Sequence, residues 1–163
     1  MKYDWIDYTS AYKELVDSWI DDDAKRFTGC DEGFDEYYQE MLTEPETKLG
    51  ENFWAKIIFA DTDPIGIIAI GLWDDVSTIS EFIIRPDRRG NGLGSSVLVE
   101  LLAQSRNIIG VKIKDAMAVI FPNNVASQKA FENAGFIFHS EHPDGDAWYY
   151  WYHDTLTMEE IVK

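Results

Sequence analysis

Apolar residues follow helical spacing in some stretches and strand-like spacing in others, and the order of these stretches predicts a mixed fold. Helical spacing predicts four helices, over residues 11–20, 34–42, 93–104 and 125–133. Runs rich in branched and aromatic residues predict seven strands, over residues 3–8, 53–60, 65–73, 78–84, 116–121, 136–140 and 147–153. Residues 21–33 are interpreted as a polar break. We therefore expect an α/β (α+β) fold in which helices pack on a mixed sheet.

The length of 163 residues fits one domain, and no linker, repeat or low-complexity tract divides the chain. We expect a single domain over residues 1–163. No apolar run approaches the ~20 residues that cross a bilayer, and no basic patch precedes an apolar stretch near residue 1. The one cysteine, Cys30, cannot form an internal disulfide, which favours a reducing, cytoplasmic location.

The charge is strongly negative and unevenly placed. Lys and Arg number 14 against 30 Asp and Glu, for a net charge of −16. Such a field opposes binding to nucleic acids and to anionic membranes, so neither is expected as a partner. Residues 1–64 hold 17 acids and 6 bases, whereas residues 85–129 hold 3 acids and 7 bases. A cationic segment in so acidic a chain indicates a local anionic ligand.

A glycine-rich turn at residues 89–94 follows an apolar strand and opens a helix. Residues 81–94 read EFIIRPDRRGNGLG. Glycines permit unusual backbone angles, and the N–H groups at a helix N-terminus favour an anion, so this turn is predicted to hold phosphate. The Walker pattern fails because no Lys follows the glycines. The dinucleotide pattern fails because Ser95 or Val97 stands at its last position.

A third phosphate-binding pattern is met in this turn, and a further pattern is met downstream. Residues 89–94, RGNGLG, fit Arg/Gln-x-x-Gly-x-Gly/Ala, and residues 124–136, NVASQKAFENAGF, fit Asn-x-x-Ala/Ser-x-x-x-Tyr/Phe-x-x-x-Gly-Phe. In this order the two segments resemble motifs A and B of the GNAT N-acetyltransferase superfamily, and the resemblance covers roughly residues 53–153. It implies a central sheet of about six or seven strands with about four helices on both faces. It also implies acetyl-CoA, and no metal, in a cleft between parallel strands that splay apart near Ile84 and Phe121.

The resemblance further implies which residues hold acetyl-CoA. Backbone groups of Phe82, Ile83 and Ile84 would bind the pantetheine arm like an added strand. N–H groups of the turn would hold the pyrophosphate, from Arg89, Gly90, Asn91, Gly92, Leu93 and Gly94. The far wall would contain Asn124, Ser127 and Phe131, with Lys129 reaching a phosphate. Asn124 fits equally well as the N-cap of the helix that follows it.

The implied reaction moves acetyl from acetyl-CoA directly to a primary amine of a small molecule or peptide. The backbone N–H of Ile84 is the expected donor to the developing oxyanion. The base candidates are Glu81, acting through water unless strand alternation points it away, then Asp74 or Asp75, and then His139, His142 or His153. Phe131 stands where the family often has a tyrosine acid. The acid is therefore Tyr149, Tyr150 or a water, or the thiolate leaves unassisted.

Several alternatives stay open from the sequence. An acyl-CoA-binding sensor or silent homologue would bind the cofactor without turnover, and another nucleotide-binding α/β domain would prefer ATP or NAD. The acidic N-terminal half either steers a cationic amine, such as a polyamine or an aminoglycoside, or only aids solubility. Its aromatic residues shape either an acceptor pocket or the core, namely Trp19, Phe27, Phe34, Tyr37 and Tyr38. The aromatic strand at residues 148–152 fits both a monomer and a homodimer.

Overall fold

The computed structural model describes residues 2–43, 52–73, 75–143, 145 and 147–154. Its strands are β1 (Asp4–Asp7), β2 (Phe53–Ala60), β3 (Asp63–Trp73), β4 (Val76–Ile84), β5 (Asp115–Ile120), β6 (Ile137–Glu141) and β7 (Trp148–His153). Its helices are α1 (Lys13–Asp17), α2 (Asp22–Phe27), α3 (Phe34–Thr43), α4 (Leu93–Ile109) and α5 (Val125–Asn133). No helix within the described ranges is long and apolar enough to cross a membrane.

All the strands belong to one sheet, in the order β1-β2-β3-β4-β5-β7-β6. Neighbouring strands are antiparallel, except that β4 and β5 run parallel. This parallel pairing is short, because residues 76–79 of β4 meet residues 115–118 of β5 and the two strands then separate. The mixed seven-stranded sheet confirms the fold predicted from the sequence.

Helices cover the two faces of the sheet, and each face has its own apolar core. Ile68 and Ile70 of β3 face a core built with α4 and α5, whereas Ile67 and Ala69 face a core built with α1–α3. A strand buried on both faces is expected to be a continuous apolar run, as this one is. Among the described residues, the second core takes sheet residues from β2, β3 and β4, so α1–α3 do not cover the same face of β5, β7 and β6, which we call the uncovered face.

Three predicted boundaries are wrong. The helix predicted over residues 11–20 is a 3-10 turn at Ser10–Tyr12 followed by the short α1. The expected polar break contains α2, so there are five α-helices in the described part of the chain rather than about four. Asp21 caps α2 by accepting the Ala24 N–H at 2.9 Å, and acids then bases follow along α2, as the helix dipole favours. Helix α4 continues past residue 104 to Ile109 because a kink at Gln104 does not end it.

Candidate active site

The separation of β4 from β5 opens a cavity of about 820 Å³. The two strands diverge at a β-bulge, where Ala69 of β3 pairs with Glu81 and Ile70 pairs with Ile79, leaving Ser80 without a partner in β3. A bulge adds one residue to a strand and bends it. The cavity extends from this bulge to the glycine turn, between α2 on one side and α5 on the other.

The backbone of β4 presents alternate residues to the cavity. The Arg85 N–H donates to the Ile65 carbonyl of β3 at 2.8 Å, so the polar backbone groups of Arg85 face β3. Because these groups alternate along a strand, those of Ile83 also face β3, and those of Phe82 and Ile84 face the cavity. The expectation that Ile83 offers its backbone to the cavity is therefore corrected.

The glycine turn has the geometry of an anion site. Gly90 and Gly92 have φ of 82° and 75°, left-handed values that only glycine adopts readily. Gly92 is also the N-cap of α4, whose first-turn N–H groups have no partner within the helix. Gly94 has another role, since an added Cβ there would lie 3.3 Å from the Ala130 Cβ, where α4 meets α5. The turn residues Gly90, Gly92, Leu93, Gly94 and Ser95 line the cavity.

The side chain of Arg89 binds protein groups. Its Nε donates to the Ile84 carbonyl at 2.8 Å, and its Nη1 lies 2.7 Å from Asp21 Oδ2. Arg89 therefore joins the turn to the end of β4 and to the N-terminus of α2. Because the side chain is engaged in this way, the backbone N–H of Arg89 is the group that we expect to bind the cofactor. Arg89 is one of the residues that line the cavity.

Most of the cationic segment is paired with acids from outside it. Arg85 binds Asp63 at 2.8 Å and Asp87 at 2.6 Å, and Arg88 also pairs with Asp63. Lys129 lines the cavity and forms no ion pair within the described part of the chain. Of the cations that line the cavity, Lys129 is therefore the one without a carboxylate partner among the described residues.

The far wall of the cavity is formed by α5. Asn124 is the N-cap of this helix, with its Oδ1 accepting the Ser127 N–H at 3.3 Å and its Nδ2 donating to the Ser127 hydroxyl at 3.0 Å. Phe131 is buried, and its ring meets the rings of Phe82 and Phe136 edge to face. Both predicted roles of Asn124 are thus compatible, because it caps the helix and also lines the cavity.

Glu81 lies beside Phe82 but on the opposite face of the sheet, towards α2. Its Oε1 accepts the Gly29 N–H at 2.9 Å, and its side chain lines the cavity. Burial raises the pKa of Glu81 to about 7, and the Gly29 hydrogen bond offsets part of that rise. A carboxyl with a pKa near neutrality can accept a proton at neutral pH, so Glu81 has the properties of a general base.

The other predicted acid–base groups that the structure describes do not line the cavity. Asp74 is outside the described residues, and Asp75 precedes β4 at the end of the strand opposite the cavity. Tyr150 donates to Glu132 at 3.3 Å, and His153 pairs with Asp115. The remaining candidates also lie on β6 and β7 or beyond them, and none lines the cavity: His139, His142 and Tyr149. Cys30 is fully buried, and burial raises its pKa to about 12, so it is a poor nucleophile.

The sequence named Phe27 as a possible pocket residue, but it did not predict α2, the helix that carries it. Asp23, Ala24, Phe27 and Thr28 all line the cavity. The Phe27 ring lies 6.3 Å from the ring of Phe121, which follows β5. Two features of the sequence could have indicated this helix: the capping residue Asp21, and acids followed by bases along α2. Its position over the cavity could not be predicted, because it depends on contacts with residues distant in sequence.

Several solved structures are similar to this chain in fold, and three of them are described as acetyltransferases. The aminoglycoside acetyltransferase AAC(6')-Ib, in complex with paromomycin and acetyl-CoA, matches with a TM-score of 0.75 and 17% identity, covering 97% of each chain. An acetyltransferase from Thermus thermophilus matches at 0.70 and 19%, over 94% of this chain and 98% of that one. Spermidine N-acetyltransferase from Vibrio cholerae, with CoA and spermine, matches at 0.70 and 10%, over 94% and 96%.

The chain belongs to the acetyltransferase (GNAT) family, whose model matches residues 10–136. Comparison with curated proteins finds no match. Within the described ranges, His, Cys, Asp and Glu form no group of three or more that could hold a metal ion.

Proposed function

We propose that this protein is an N-acetyltransferase that moves acetyl from acetyl-CoA to a primary amine by direct attack. The proposal depends on one observation: the Glu81 carboxyl and the Phe82 backbone lie next to each other at the β4 bulge. The Glu81 carboxyl reaches the cavity from the face covered by α2, and the next residue, Phe82, turns its backbone towards the divergence of β4 and β5. A base and an N–H donor thus lie on either side of one reacting centre.

The residues present fit acetyl-CoA. Phe82 and Ile84 supply backbone groups to an extended arm containing amides, as a neighbouring strand would. The glycine turn and the N-terminus of α4 supply N–H groups to the pyrophosphate. Lys129 supplies a positive charge, whereas Arg88 and Arg89 are held by Asp63 and Asp21. The thioester of acetyl-CoA would supply the acyl group. With the pyrophosphate at the glycine turn and the pantetheine arm extended along β4, the thioester would lie near the bulge.

The proposed chemistry assigns one proton acceptor and one oxyanion donor. The amine nitrogen forms a bond to the thioester carbonyl carbon, the C–S bond breaks, and the excess amine proton passes to Glu81 directly or through water. Phe82 is a better oxyanion donor than Ile84, because Ile84 is nearer the glycine turn and Phe82 is beside Glu81. No tyrosine of the described residues lines the cavity, so the sulfur leaves as a thiolate or takes a proton from water.

Calorimetric titration with acetyl-CoA, against ATP and NAD, tests the cofactor assignment. We expect binding to acetyl-CoA alone, weakened in Gly92→Ala because alanine is strained at a φ of 75°. A folded protein that prefers ATP or NAD would contradict the proposal.

Release of CoA thiol on adding primary amines tests the chemistry. Glu81→Gln should lose most turnover while still binding acetyl-CoA, and Glu141→Gln, an exposed change on β6, is the matched control. Acetyl-CoA binding without turnover on any amine would instead indicate the sensor or silent homologue.

A further inference from the structure

The part of the cavity between α2 and the bulge is where an acceptor amine can approach Glu81. We call this part the acceptor chamber and define it by Asp23, Phe27, Thr28, Glu81 and Val119, all of which line the cavity. Helix α2 is fixed above it by two polar contacts, one between Asp21 and Arg89 and one between Gly29 and Glu81. The shape and charge of the chamber are therefore set before an acceptor binds.

The acceptor chamber holds little negative charge, although the protein as a whole has a net charge of −16. Among the described residues that line the cavity, the acids are Asp23 and Glu81. Burial raises the pKa of Glu81 to about 7, so Glu81 is partly neutral at neutral pH. A buried ammonium group is costly without a carboxylate partner. An acceptor with several ammonium groups would thus find one full carboxylate, that of Asp23, and the Arg26 guanidinium already lies 3.9 Å from it.

Two acids of the N-terminal half, Asp17 and Asp35, bind groups of the protein and do not line the cavity. Asp17 pairs with Lys13 at 2.8 Å and accepts the Phe34 N–H at 2.8 Å. Asp35 accepts the Tyr8 hydroxyl at 2.7 Å. These contacts hold α1 and α3 in place rather than serving the cavity. They favour the interpretation in which the acidic N-terminal half does not bind a polycation at this site.

Phe27 and Val119 form the apolar part of the acceptor chamber, which continues onto the uncovered face of the sheet. Phe27 contacts Phe121 at a ring distance of 6.3 Å, and the side chain of Val119 is 46% exposed. In register with Val119 is Tyr149 of β7, and Trp151 lies two residues further along the same face. An apolar or aromatic body attached to the amine would contact these side chains and be removed from water.

On the basis of the proposed function, we infer that the acceptor is a monoamine with an apolar or aryl-alkyl body, rather than a polyamine or an aminoglycoside. The single charge is placed between Asp23 and Glu81, and the apolar body lies against Phe27 and Val119. Phe27 and Val119 are thus specificity-determining residues, because they contact the part of the acceptor that does not react.

The test compares phenethylamine, spermidine and kanamycin as acceptors for the full chain, with acetyl-CoA saturating. We expect kcat/KM for phenethylamine to exceed that for spermidine and kanamycin by at least ~50-fold. Phe27→Ala should lower kcat/KM for phenethylamine by about ten-fold or more, without changing acetyl-CoA affinity. Val119→Asp should lower it similarly and raise kcat/KM for spermidine.

Ile6→Asp is the matched control for Val119→Asp, since Ile6 is an exposed branched residue of β1, 41% exposed and distant from the cavity. A preference for spermidine or kanamycin would overturn this inference and leave the proposed function intact. Turnover of no amine would overturn both. If Val119→Asp changes the mass in sedimentation but not kcat/KM for phenethylamine, the uncovered face is a contact between copies and the inference is wrong.

Discussion

Arg89 and Asp21 form an ion pair at 2.7 Å that joins the glycine turn to the N-terminus of α2, across 68 residues of sequence. The other oxygen of Asp21 caps α2, and Nε of Arg89 binds the carbonyl of Ile84. One arginine therefore fixes the glycine turn, the end of β4 and the acceptor chamber relative to one another. We expect Asp21 to act as a positioning residue.

Asp21→Asn tests this role. Asparagine caps a helix about as well as aspartate, so α2 should keep its structure while the ion pair is lost. Because a partly exposed pair stabilises a fold by only ~0–1 kcal/mol, the melting temperature should change little. The KM for the amine should rise about three- to ten-fold, with a smaller change in kcat. Asp22→Asn, an exposed change in the same helix, is the control, and equal kinetics of the two variants would refute the role.

The rate should depend on the protonation of Glu81. Only the carboxylate form accepts a proton, so kcat at saturating amine should rise with pH and level off above the pKa of about 7. Glu81→Gln should lack this limb of the profile. A wild-type profile that is flat between pH 5.5 and 8.5 would show that another group is the base.

The stability of the fold should depend on the same group. Glu81 has a folded-state pKa raised from 4.5 to about 7, so the folded state holds a proton that the unfolded state releases across this range. The stability that this proton provides is complete below pH 4.5 and is lost as the pH rises to about 7. Glu81→Gln should therefore raise the melting temperature more at pH 8 than at pH 5. The reverse order would contradict the burial of this carboxyl.

Lys129 should contribute to cofactor affinity through its charge. It is the cavity-lining cation without a carboxylate partner in the described part of the chain. Lys129→Gln should raise the Kd for acetyl-CoA about three- to ten-fold at low salt, and by less at high salt because of screening. Arg106→Gln removes the same charge from an exposed site on α4 that does not line the cavity. If both variants lose the same affinity, the effect is one of net charge.

Phe131→Tyr tests whether departure of the thiolate needs an acid. Phe131 lines the cavity, and its buried ring contacts Phe82 and Phe136. None of the described residues that line the cavity is a tyrosine. A hydroxyl directed into the cavity would add a proton donor for the leaving sulfur, so kcat should be unchanged or higher. Melting curves of both proteins serve as the folding control. A large loss of kcat in a folded variant would show that the cavity cannot accommodate the hydroxyl.

Much of the fold could be predicted because β2 and β3 are nearly continuous apolar runs and the apolar residues of α4 follow helical spacing. Helix α2 was missed because its six residues, DDAKRF, contain little apolar periodicity and are held by distant contacts. That residues 1–163 form one domain, that the protein is cytoplasmic and that it is a monomer or homodimer stay predictions.

The candidate site was less predictable than the fold. The two motifs predicted that the glycine turn and α5 are parts of a cofactor site, and the structure places residues of both at one cavity. The orientation of Glu81 depends on the bulge at Ser80, which reverses the alternation of side chains and cannot be recognised from residue types. The pairing of Arg89 with Asp21 is equally hidden, because nothing local to either residue indicates the other.

Beyond residue 79, β4 no longer pairs with β5, so residues 80–84 form an unpaired strand edge inside the sheet. Exposed edges bind other extended chains and promote aggregation, which proteins commonly prevent with charges or short strands. In this protein the unpaired edge is enclosed, which hinders binding of another strand. Helices flank residues 80–84 on both faces, and the Phe27 ring lies near the Phe121 ring across the opening. A slender arm with amide groups can use this edge, whereas a polypeptide with side chains on both faces is hindered. The enclosure of the gap that we propose for catalysis therefore also hinders self-association through that strand.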